Sequence, residues 1–358
     1  MVGSVWLAVA VLSTQETDAY GVRRISGPSV EAVMRGLGEA HVEDRLWQME
    51  MSRRIARGTM AEVAGASALE SDRQTRRMGY RADELRAMVD ALPSQTRALL
   101  TAYRDGANYA LARRVAANQL PGGYAQMNFR PEPWTLEDTA AIGVMMISRF
   151  GTGGAGELRN LAMLEYAKIS PARSRPFDLL DELAWHRDPD GIPTLSTEDD
   201  LSRNAIAALT PAASRDQTEA QYAALPKAVL LELLPAIRVA DYTDQKLLAA
   251  HYGVVPKAGS YAMVVSPSRS SNGRALLLSA PQMGHSVPSP VYEACLDAPG
   301  YQVQGISIPG VPGIVIGHTP RLAWGLTSGV ADCEDIYGAF AGPNGGYLVG
   351  GAERATDK

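Results

Sequence analysis

The chain has 358 residues, of which 46% are apolar and 20% are charged, and its net charge at pH 7 is −5. This composition is typical of a globular protein with a sizeable core, and it excludes disordered and collagen-like chains. An acidic chain without a dense run of Lys or Arg gives no electrostatic reason to expect nucleic acid as a partner. No apolar run reaches the roughly 18 to 20 residues of a membrane span. We therefore expect a small molecule as the partner, and neither nucleic acid nor a membrane.

Cysteine and histidine usage argues against a disulfide scaffold or a zinc site. The two cysteines, Cys295 and Cys333, suit either buried thiols or one bridge. The five histidines are scattered, and none of them forms a pair at metal-ligand spacing. The composition therefore disfavours a zinc hydrolase.

The first 16 residues form either a leader or a strand. The run from Val5 to Leu12 has the length of a signal-peptide apolar region, but the first basic residue is Arg23. A buried strand fits the same run, so both interpretations stay open.

Residues 17–190 carry mainly helical patterns. Ser29 precedes a long amphipathic stretch that ends at Gly58, where a left-handed cap is easily made. Ser94 starts a second helix, and Thr135 with Asp138 forms a capping pattern before "LEDTAAIGVMMIS", which is apolar enough to predict a buried helix. "ELRNLAMLEYA" predicts a further helix.

The pattern changes after residue 190. Residues 191–259 mix Pro, Asp, Thr and Ser clusters with Ala- and Leu-rich stretches, which indicates a linker or a removable insert. From 260 to 358, short apolar runs alternate with turn residues, including the hairpin dipeptide Asn272-Gly273. A helical first part followed by a mostly antiparallel sheet predicts an α+β fold.

A glycine-rich segment, "GTGGAG" from Gly151 to Gly156, matches the spacing of a dinucleotide-binding loop. That loop must follow a strand, whereas the run before Gly151 is capped as a helix, and no suitable acidic residue follows about 20 residues later. We predict a flexible connection between two helices here.

No common serine-hydrolase motif is present, because neither G-x-S-x-G nor S-x-x-K occurs. A different solution is a chain cut before a serine, whose freed α-amino group, with a pKa of roughly 7.7 to 8.0, lies beside its own hydroxyl. Gly259-Ser260 fits this chemistry, since glycine tolerates the strained backbone of an N-to-O acyl shift. A turn before a strand explains the same dipeptide.

Several long blocks occur in an order that resembles the penicillin amidase (penicillin acylase) family of N-terminal-nucleophile hydrolases, and the penicillin G acylase type in particular. The resemblance covers essentially the whole chain. Its blocks are "DAYGV" (18–22), "EAHVEDRLWQMEMSRRIARGTMAEVAG" (39–65), "RPEPWTLEDTAAIGVMMISRF" (130–150), Gly259-Ser260, "APQMGH" (280–285), "PGVPGIVIGH" (309–318) and "AWGLTSGVADCEDIY" (323–337).

The resemblance implies a four-layer αββα sandwich, incomplete in this chain, and a precursor that cleaves itself between Gly259 and Ser260. Residues 17–190 would belong to the first chain, 191–259 to the spacer, and 260–358 to the start of the second chain, so the protein would be a self-derived heterodimer. Family members continue for several hundred residues more. We therefore expect an N-terminal fragment that is inactive alone, from a periplasmic or secreted enzyme.

The same resemblance assigns site residues. Ser260 would be the nucleophile, the main chain of Gln282 would help to hold the reacting groups, and the N–H of Ser328 would form half of an oxyanion hole. An apolar acyl pocket would be lined by Met146, Arg149, Phe150, Met283 and Leu326. We expect the substrate to be a small N-acyl amide.

A structural calcium ion is also implied. By themselves, the acidic residues after Ala331 suit a solvated loop. By resemblance, Glu157, Asp332 and Asp335 would supply carboxylates and Glu334 a main-chain carbonyl, a mixed oxygen shell that Ca²⁺ favours.

Two features keep alternatives open. Tyr261 and Met263 stand where many members have Asn and Trp, which leaves the pocket shape and the efficiency of processing open and would also suit an unprocessed, non-catalytic binding or scaffold homologue. Within the enzymes, an acyl-homoserine-lactone or cephalosporin acylase is the alternative. The family often has His in those acylases where Gln282 stands here, which favours the penicillin G type.

Overall fold

The computed structural model describes residues 13–154, 164, 260–283, 286–329, 331–334, 340–349 and 351–355, with only the main chain at 152–154, 331–334 and 340. The predicted linker 191–259 and the predicted helix after Glu157, except Leu164, lie outside the described residues. Contacts divide the chain into two compact units. Unit 1 comprises Met1–Thr152 and Thr243–Ala331, and unit 2 comprises Gly153–Tyr242 and Asp332–Lys358.

The described residues combine helices and sheets, so the protein is an α+β protein. The helices are α1 Val30–Arg57, α2 Ala61–Ala64, α3 Leu69–Met78, α4 Ala82–Asp90, α5 Ser94–Ala116, α6 Gly122–Gln126 and α7 Leu136–Gly151. The strands are β1 Thr14–Thr17, β2 Arg23–Ser26, β3 Thr152–Gly154, β4 Ser260–Val265, β5 Leu276–Pro281, β6 Tyr292–Ala298, β7 Tyr301–Ile308, β8 Val311–His318, β9 Ala323–Trp324, β10 Ala331–Glu334, β11 Phe340–Ala341, β12 Tyr347–Val349 and β13 Ala352–Arg354.

Helix α1 begins and ends where its sequence predicts. The Ser29 side chain accepts a hydrogen bond from the N–H of Ala32 at 3.2 Å, which satisfies one free donor of the first turn. Gly58 adopts a left-handed conformation with φ 61°, and its N–H donates to the carbonyl of Ile55. The predicted start of α5 at Ser94 is also confirmed.

The largest sheet belongs to unit 1 and has the strand order β1-β2-β6-β7-β8-β9. Its pairs are antiparallel except β2 with β6, which is parallel. Strands β4 and β5 form a separate antiparallel hairpin. A turn is present at Asn272-Gly273, where the Gly273 N–H donates to the Ser270 carbonyl, but it lies within a longer connection between Val265 and Leu276 and is not a two-residue hairpin loop. Strand β3 pairs with β10, and in unit 2 the strands β11, β12 and β13 form a three-stranded sheet.

The core of unit 1 lies between α1, α5 and one face of the large sheet. Ile25, Leu37 and Tyr103 are fully buried there, together with Leu296 from β6. Helices α1 and α5 approach so closely that a Cβ on Gly106 would lie 2.7 Å from the carbonyl carbon of Arg35. Among the described residues, no helix combines the length and the apolar character that a bilayer crossing needs.

Two expectations from the sequence are wrong. Helix α7 is buried only in its first half, because Ile147 is 68% exposed and its two following neighbours are exposed as well. The segment after α7 is not a helix-to-helix connection at its start, because β3 begins directly at Thr152 and pairs with β10. Main-chain pairing with a distant strand determines the conformation there, and local composition does not reveal it.

Candidate active site

Ser260 is the first residue of β4 and is half-buried. The hairpin register places it opposite Pro281 at the end of β5. One residue later, the N–H of Gln282 donates to the Ser260 hydroxyl oxygen at 3.3 Å, whereas the Gln282 residue as a whole is exposed. Two predicted residues therefore meet, and they meet through the main chain of Gln282. Gly259 lies outside the described residues.

Helix α7 carries three residues of the predicted acyl pocket near its C-terminal end. Met146 packs against a buried cluster that contains Trp134 and Ile142. Arg149 is exposed, with its guanidinium carbon 5.7 Å from the centre of the Phe150 ring. At this end of α7, half-buried Met146 and Phe150 thus lie beside the exposed Ile147 and Arg149.

The segment after β9, residues 325–329, lies against both α7 and the β4–β5 hairpin. The N–H of Gly329 donates to the carbonyl of Phe150 at 2.7 Å. At its other end, Gly325 packs on Ser279 of β5. Leu326, which is 50% exposed, and Ser328 lie between these two contacts. The segment thus joins the element with the predicted pocket residues to the hairpin that starts at Ser260. Met283, half-buried, follows that hairpin.

The other anchor of α7 is a buried group of charges at its first turn. Asp138 is 1% exposed and forms ion pairs with Arg57 at 2.9 Å and with Arg53 at 3.5 Å. Its second role is to cap the helix, because it accepts from the N–H of Thr135 at 2.9 Å while the Thr135 hydroxyl accepts from the N–H of Asp138 at 3.1 Å. The predicted capping pair is confirmed, and its carboxylate also holds α7 against α1.

A serine–histidine pair that the sequence did not indicate lies in the core. The imidazole Nε2 of His41 is 2.9 Å from the hydroxyl oxygen of Ser307, and both residues are fully buried. The Ser307 hydroxyl donates to the main-chain carbonyl of Tyr292 at 3.0 Å. It therefore accepts from His41 rather than donating to it, so His41 cannot act as its base. This pair is a structural contact and not a nucleophile with its base.

The rest of that network is fully satisfied. The Tyr103 hydroxyl lies 2.7 Å from His41 Nδ1 and accepts from the N–H of Gly310 at 3.0 Å. Hence Tyr103 donates to Nδ1, and His41 is neutral with its proton on Nε2. Burial lowers the pKa of His41 to about 3. The sequence carries no local signal of this contact, because its members come from α1, α5 and β7.

The residues proposed for calcium are not described by their side chains. Glu157 and Asp335 lie outside the described residues, and for Asp332 and Glu334 the structure gives only the main chain in β10. Among the side chains that are described, no group of three or more His, Cys, Asp or Glu could hold a metal ion. Cys295 is a free, half-buried thiol.

Comparison with known proteins identifies the family. The sequence profile of the family described as "Penicillin amidase" matches residues 16–358. Penicillin G acylase from Escherichia coli is 29% identical over 337 residues, which cover 89% of this chain and 39% of that protein. Acyl-homoserine lactone acylase QuiP from Pseudomonas putida is 28% identical over 321 residues, covering 89% of this chain and 34% of that protein.

Two further similarities differ in how much of the chain they cover. Penicillin acylase 2 proenzyme from a Pseudomonas species is 28% identical over 324 residues, covering 90% of this chain and 37% of that protein. A solved structure of thermostable penicillin G acylase from Alcaligenes faecalis is 30% identical, with a TM-score of 0.46 over 51% of this chain and 96% of that chain. The chain thus spans 34% to 39% of the length of these three curated relatives. Because the family profile matches nearly the whole chain, the protein belongs to the penicillin amidase family.

Proposed function

We propose that this protein is an amidohydrolase that cleaves the linear amide bond of a small N-acyl compound with an apolar acyl group. The observation that carries the proposal is the hydrogen bond from the Gln282 N–H to the Ser260 hydroxyl oxygen at 3.3 Å. A main-chain donor at this distance fixes the direction of the hydroxyl at the first residue of a strand. This is where an N-terminal nucleophile would begin after the chain is cut.

The first step of the proposed mechanism is self-cleavage. The Ser260 hydroxyl oxygen attacks the carbonyl of Gly259, the C–N bond of that peptide breaks as the hydroxyl proton passes to the released amino nitrogen of Ser260, and an ester replaces the peptide bond. Water then hydrolyses the ester, which releases a chain that ends at Gly259 and another that begins at Ser260. Further cleavage would remove the spacer 191–259. The name of one relative, penicillin acylase 2 proenzyme, supports a precursor in the family.

Catalysis follows with the new N-terminus as the base. The free α-amino group of Ser260, with a pKa of roughly 7.7 to 8.0 in a peptide, takes the hydroxyl proton while the oxygen attacks the amide carbon. The proton passes to the leaving amine as the C–N bond breaks. Water then attacks the acyl-enzyme, and the acid leaves. The N–H of Ser328 would stabilise the oxyanion of both steps, a contribution of about 3 to 4 kcal/mol for one donor.

The acyl group would bind beside the C-terminal end of α7. Met146, Phe150 and Leu326 offer apolar surface, and Met283 follows the hairpin on the other side of Ser260. Apolar contacts of this kind favour an aromatic or aliphatic acyl group over a charged one. Arg149 would lie at the rim of the pocket, since it is exposed.

The remaining parts of the proposal concern assembly. Glu157, Asp332, Glu334 and Asp335 would hold a structural calcium ion that joins the two chains of the processed heterodimer, since Ca²⁺ prefers such oxygen ligands. The second chain would complete a four-layer αββα sandwich, in a periplasmic or secreted enzyme. Removal of calcium with a chelator should lower the melting temperature of the complete protein, and added Ca²⁺ should restore it.

A comparison of acyl groups tests the activity. The protein from the complete gene is assayed with phenylacetyl, phenoxyacetyl and long-chain acyl amides and with N-acyl-homoserine lactones. We expect the aryl-acetyl amides to have the highest kcat/KM, no activity in Ser260→Ala, and full activity in Ser268→Ala, which changes an exposed serine of the same hairpin. Highest kcat/KM with long-chain homoserine lactones would instead support the second candidate, an acyl-homoserine lactone acylase, whose relatives are almost as similar.

A further inference from the structure

The segment 325–329 is held at its first residue by a contact that only glycine permits. A Cβ on Gly325 would lie 2.7 Å from the Cβ of Ser279 and still nearer its hydroxyl oxygen. Carbon atoms in contact are separated by at least about 3.5 Å. Any larger residue must therefore push the main chain at 325 away from β5. The Ser279 hydroxyl is buried and has no hydrogen-bond partner among the described residues, so the contact is steric.

The last residue of the segment is held by a hydrogen bond. The N–H of Gly329 donates to the main-chain carbonyl of Phe150 at 2.7 Å. This carbonyl belongs to the last turn of α7, where helix carbonyls lack partners within the helix. A Cβ on Gly329 would lie 3.1 Å from the carbonyl oxygen of Gly151, which is tight but requires only a small shift. The two ends of the segment are thus fixed by different elements, β5 and α7.

The contact at Gly325 is close to Ser260 along the hairpin. Ser260 pairs with Pro281 and Ala262 pairs with Ser279, so Ser279 is two residues from the partner of Ser260 on the same strand face. Two residues of a strand span about 6.6 Å. The contact at Gly325 therefore lies on the strand that pairs with the nucleophile's strand, about 6.6 Å along β5 from the residue opposite Ser260.

We infer that Gly325 and Gly329 are positioning residues, which fix the main chain of Ser328 between the nucleophile's hairpin and the helix of the acyl pocket. This inference rests on the proposed function, in which the Ser328 N–H binds the oxyanion. The two glycines act through Ser328 and touch no reacting atom. An amide that binds only the oxyanion stabilises the transition state and not the bound substrate. Displacing it must lower kcat and leave KM nearly unchanged.

The test uses Gly325→Ala in the protein from the complete gene. We expect kcat for a phenylacetyl amide to fall by about 10² to 10³, the loss typical of one oxyanion donor, while KM changes by less than about threefold. Adding Ser279→Gly removes the side chain that the new methyl group meets, so the double variant should recover at least about tenfold of the lost kcat. Gly122→Ala is the matched control, because a Cβ there meets no described atom within 4 Å.

Processing is measured alongside the kinetics, by the mass of the chains and by the melting temperature. Full kcat in a folded, processed Gly325→Ala, or a double variant without recovery, would overturn the inference while the proposed function stands. If Gly325→Ala does not fold, Gly329→Ala decides, because its contact with the Gly151 carbonyl at 3.1 Å is milder but still shifts the main chain next to Ser328, so kcat should fall by a smaller factor without a change in KM. A wild-type protein that hydrolyses none of the amides would overturn the proposed function itself, and the role of both glycines with it.

Discussion

The imidazole of His41 lies 2.9 Å from the hydroxyl oxygen of Ser307, and this contact joins helix α1 to strand β7 inside the core. The direction of each hydrogen bond in the network follows from the main-chain groups at its two ends. Protonation of His41 would make Nδ1 a donor and would leave the buried Tyr103 hydroxyl without an acceptor. The core therefore requires the neutral imidazole.

The first prediction is that His41 makes folding sensitive to acid. Its pKa is about 3 in the folded protein and 6.5 in the reference state, so the unfolded chain binds the proton first as the pH falls. The contribution of neutral His41 to the free energy of unfolding is fully present above pH 6.5. It decreases towards pH 3 by about 1.4 kcal/mol for each pH unit. Unfolding free energies from urea titrations between pH 7 and pH 4 measure this slope.

His41→Gln is the comparison that isolates this group, because the carboxylates, which also titrate in acid, are unchanged. The variant should be less stable at pH 7. Its unfolding free energy should also depend less steeply on pH, by the amount that corresponds to the uptake of one proton on unfolding. Equal slopes for the two proteins would contradict a buried neutral His41.

The second prediction concerns the carboxylate that holds the start of α7. Asp138→Asn leaves the buried Arg53 with one fewer anionic partner and weakens the pairing of Arg57. Loss of one member of a buried ion pair costs about 3 to 5 kcal/mol. Asp83→Asn is the control, since Asp83 is exposed and pairs with Arg81 at the surface, where the loss should stay below about 1 kcal/mol. Equal unfolding free energies for the two variants would show that the buried cluster does not anchor α7.

The elements that local signals encode could be predicted, and those that depend on distant partners could not. Ser29 and Gly58 fix the ends of α1 through groups within one turn, so both were predictable from the sequence. The hairpin β1–β2 was not, because its strands of four residues are mostly polar and β2 is completed by pairing with β6. The exposed end of α7 was missed because an apolar sequence indicates burial without showing whether a neighbour covers it.

At the candidate site, too, some contacts could be predicted from the sequence and others could not. Family resemblance predicted that Gln282 lies near Ser260, and the structure places its N–H on the hydroxyl. The contact of Gly325 with Ser279 was not predictable, because it joins a β5 residue to the segment after β9 and no spacing rule connects them. Residues 191–259, the predicted spacer, lie outside the described part of the chain, so their role stays a prediction.

The third prediction separates the main chain of Gln282 from its side chain. Gln282→Ala keeps the N–H that donates to Ser260, so the rate of self-cleavage should change little. Gln282→Pro removes that N–H at an exposed position, and cleavage should slow by about tenfold, the equivalent of one hydrogen bond of about 1.4 kcal/mol. The two rates are compared by following the appearance of the new chain with time. Equal slowing of the Ala and Pro variants would assign the role to the side chain instead, since both substitutions remove it.

The final prediction is the position of the cut itself. The masses and N-terminal sequences of the chains made from the complete gene are determined for wild type, Ser260→Ala and the control Ser268→Ala. The wild type and the control should each give a new chain that begins at Ser260, and Ser260→Ala should remain one unbroken precursor, because both the nucleophile and the future base belong to that residue. An unbroken wild-type chain, or a Ser260→Ala chain cut at the same bond, would contradict the assignment of Ser260 as a self-released N-terminal nucleophile.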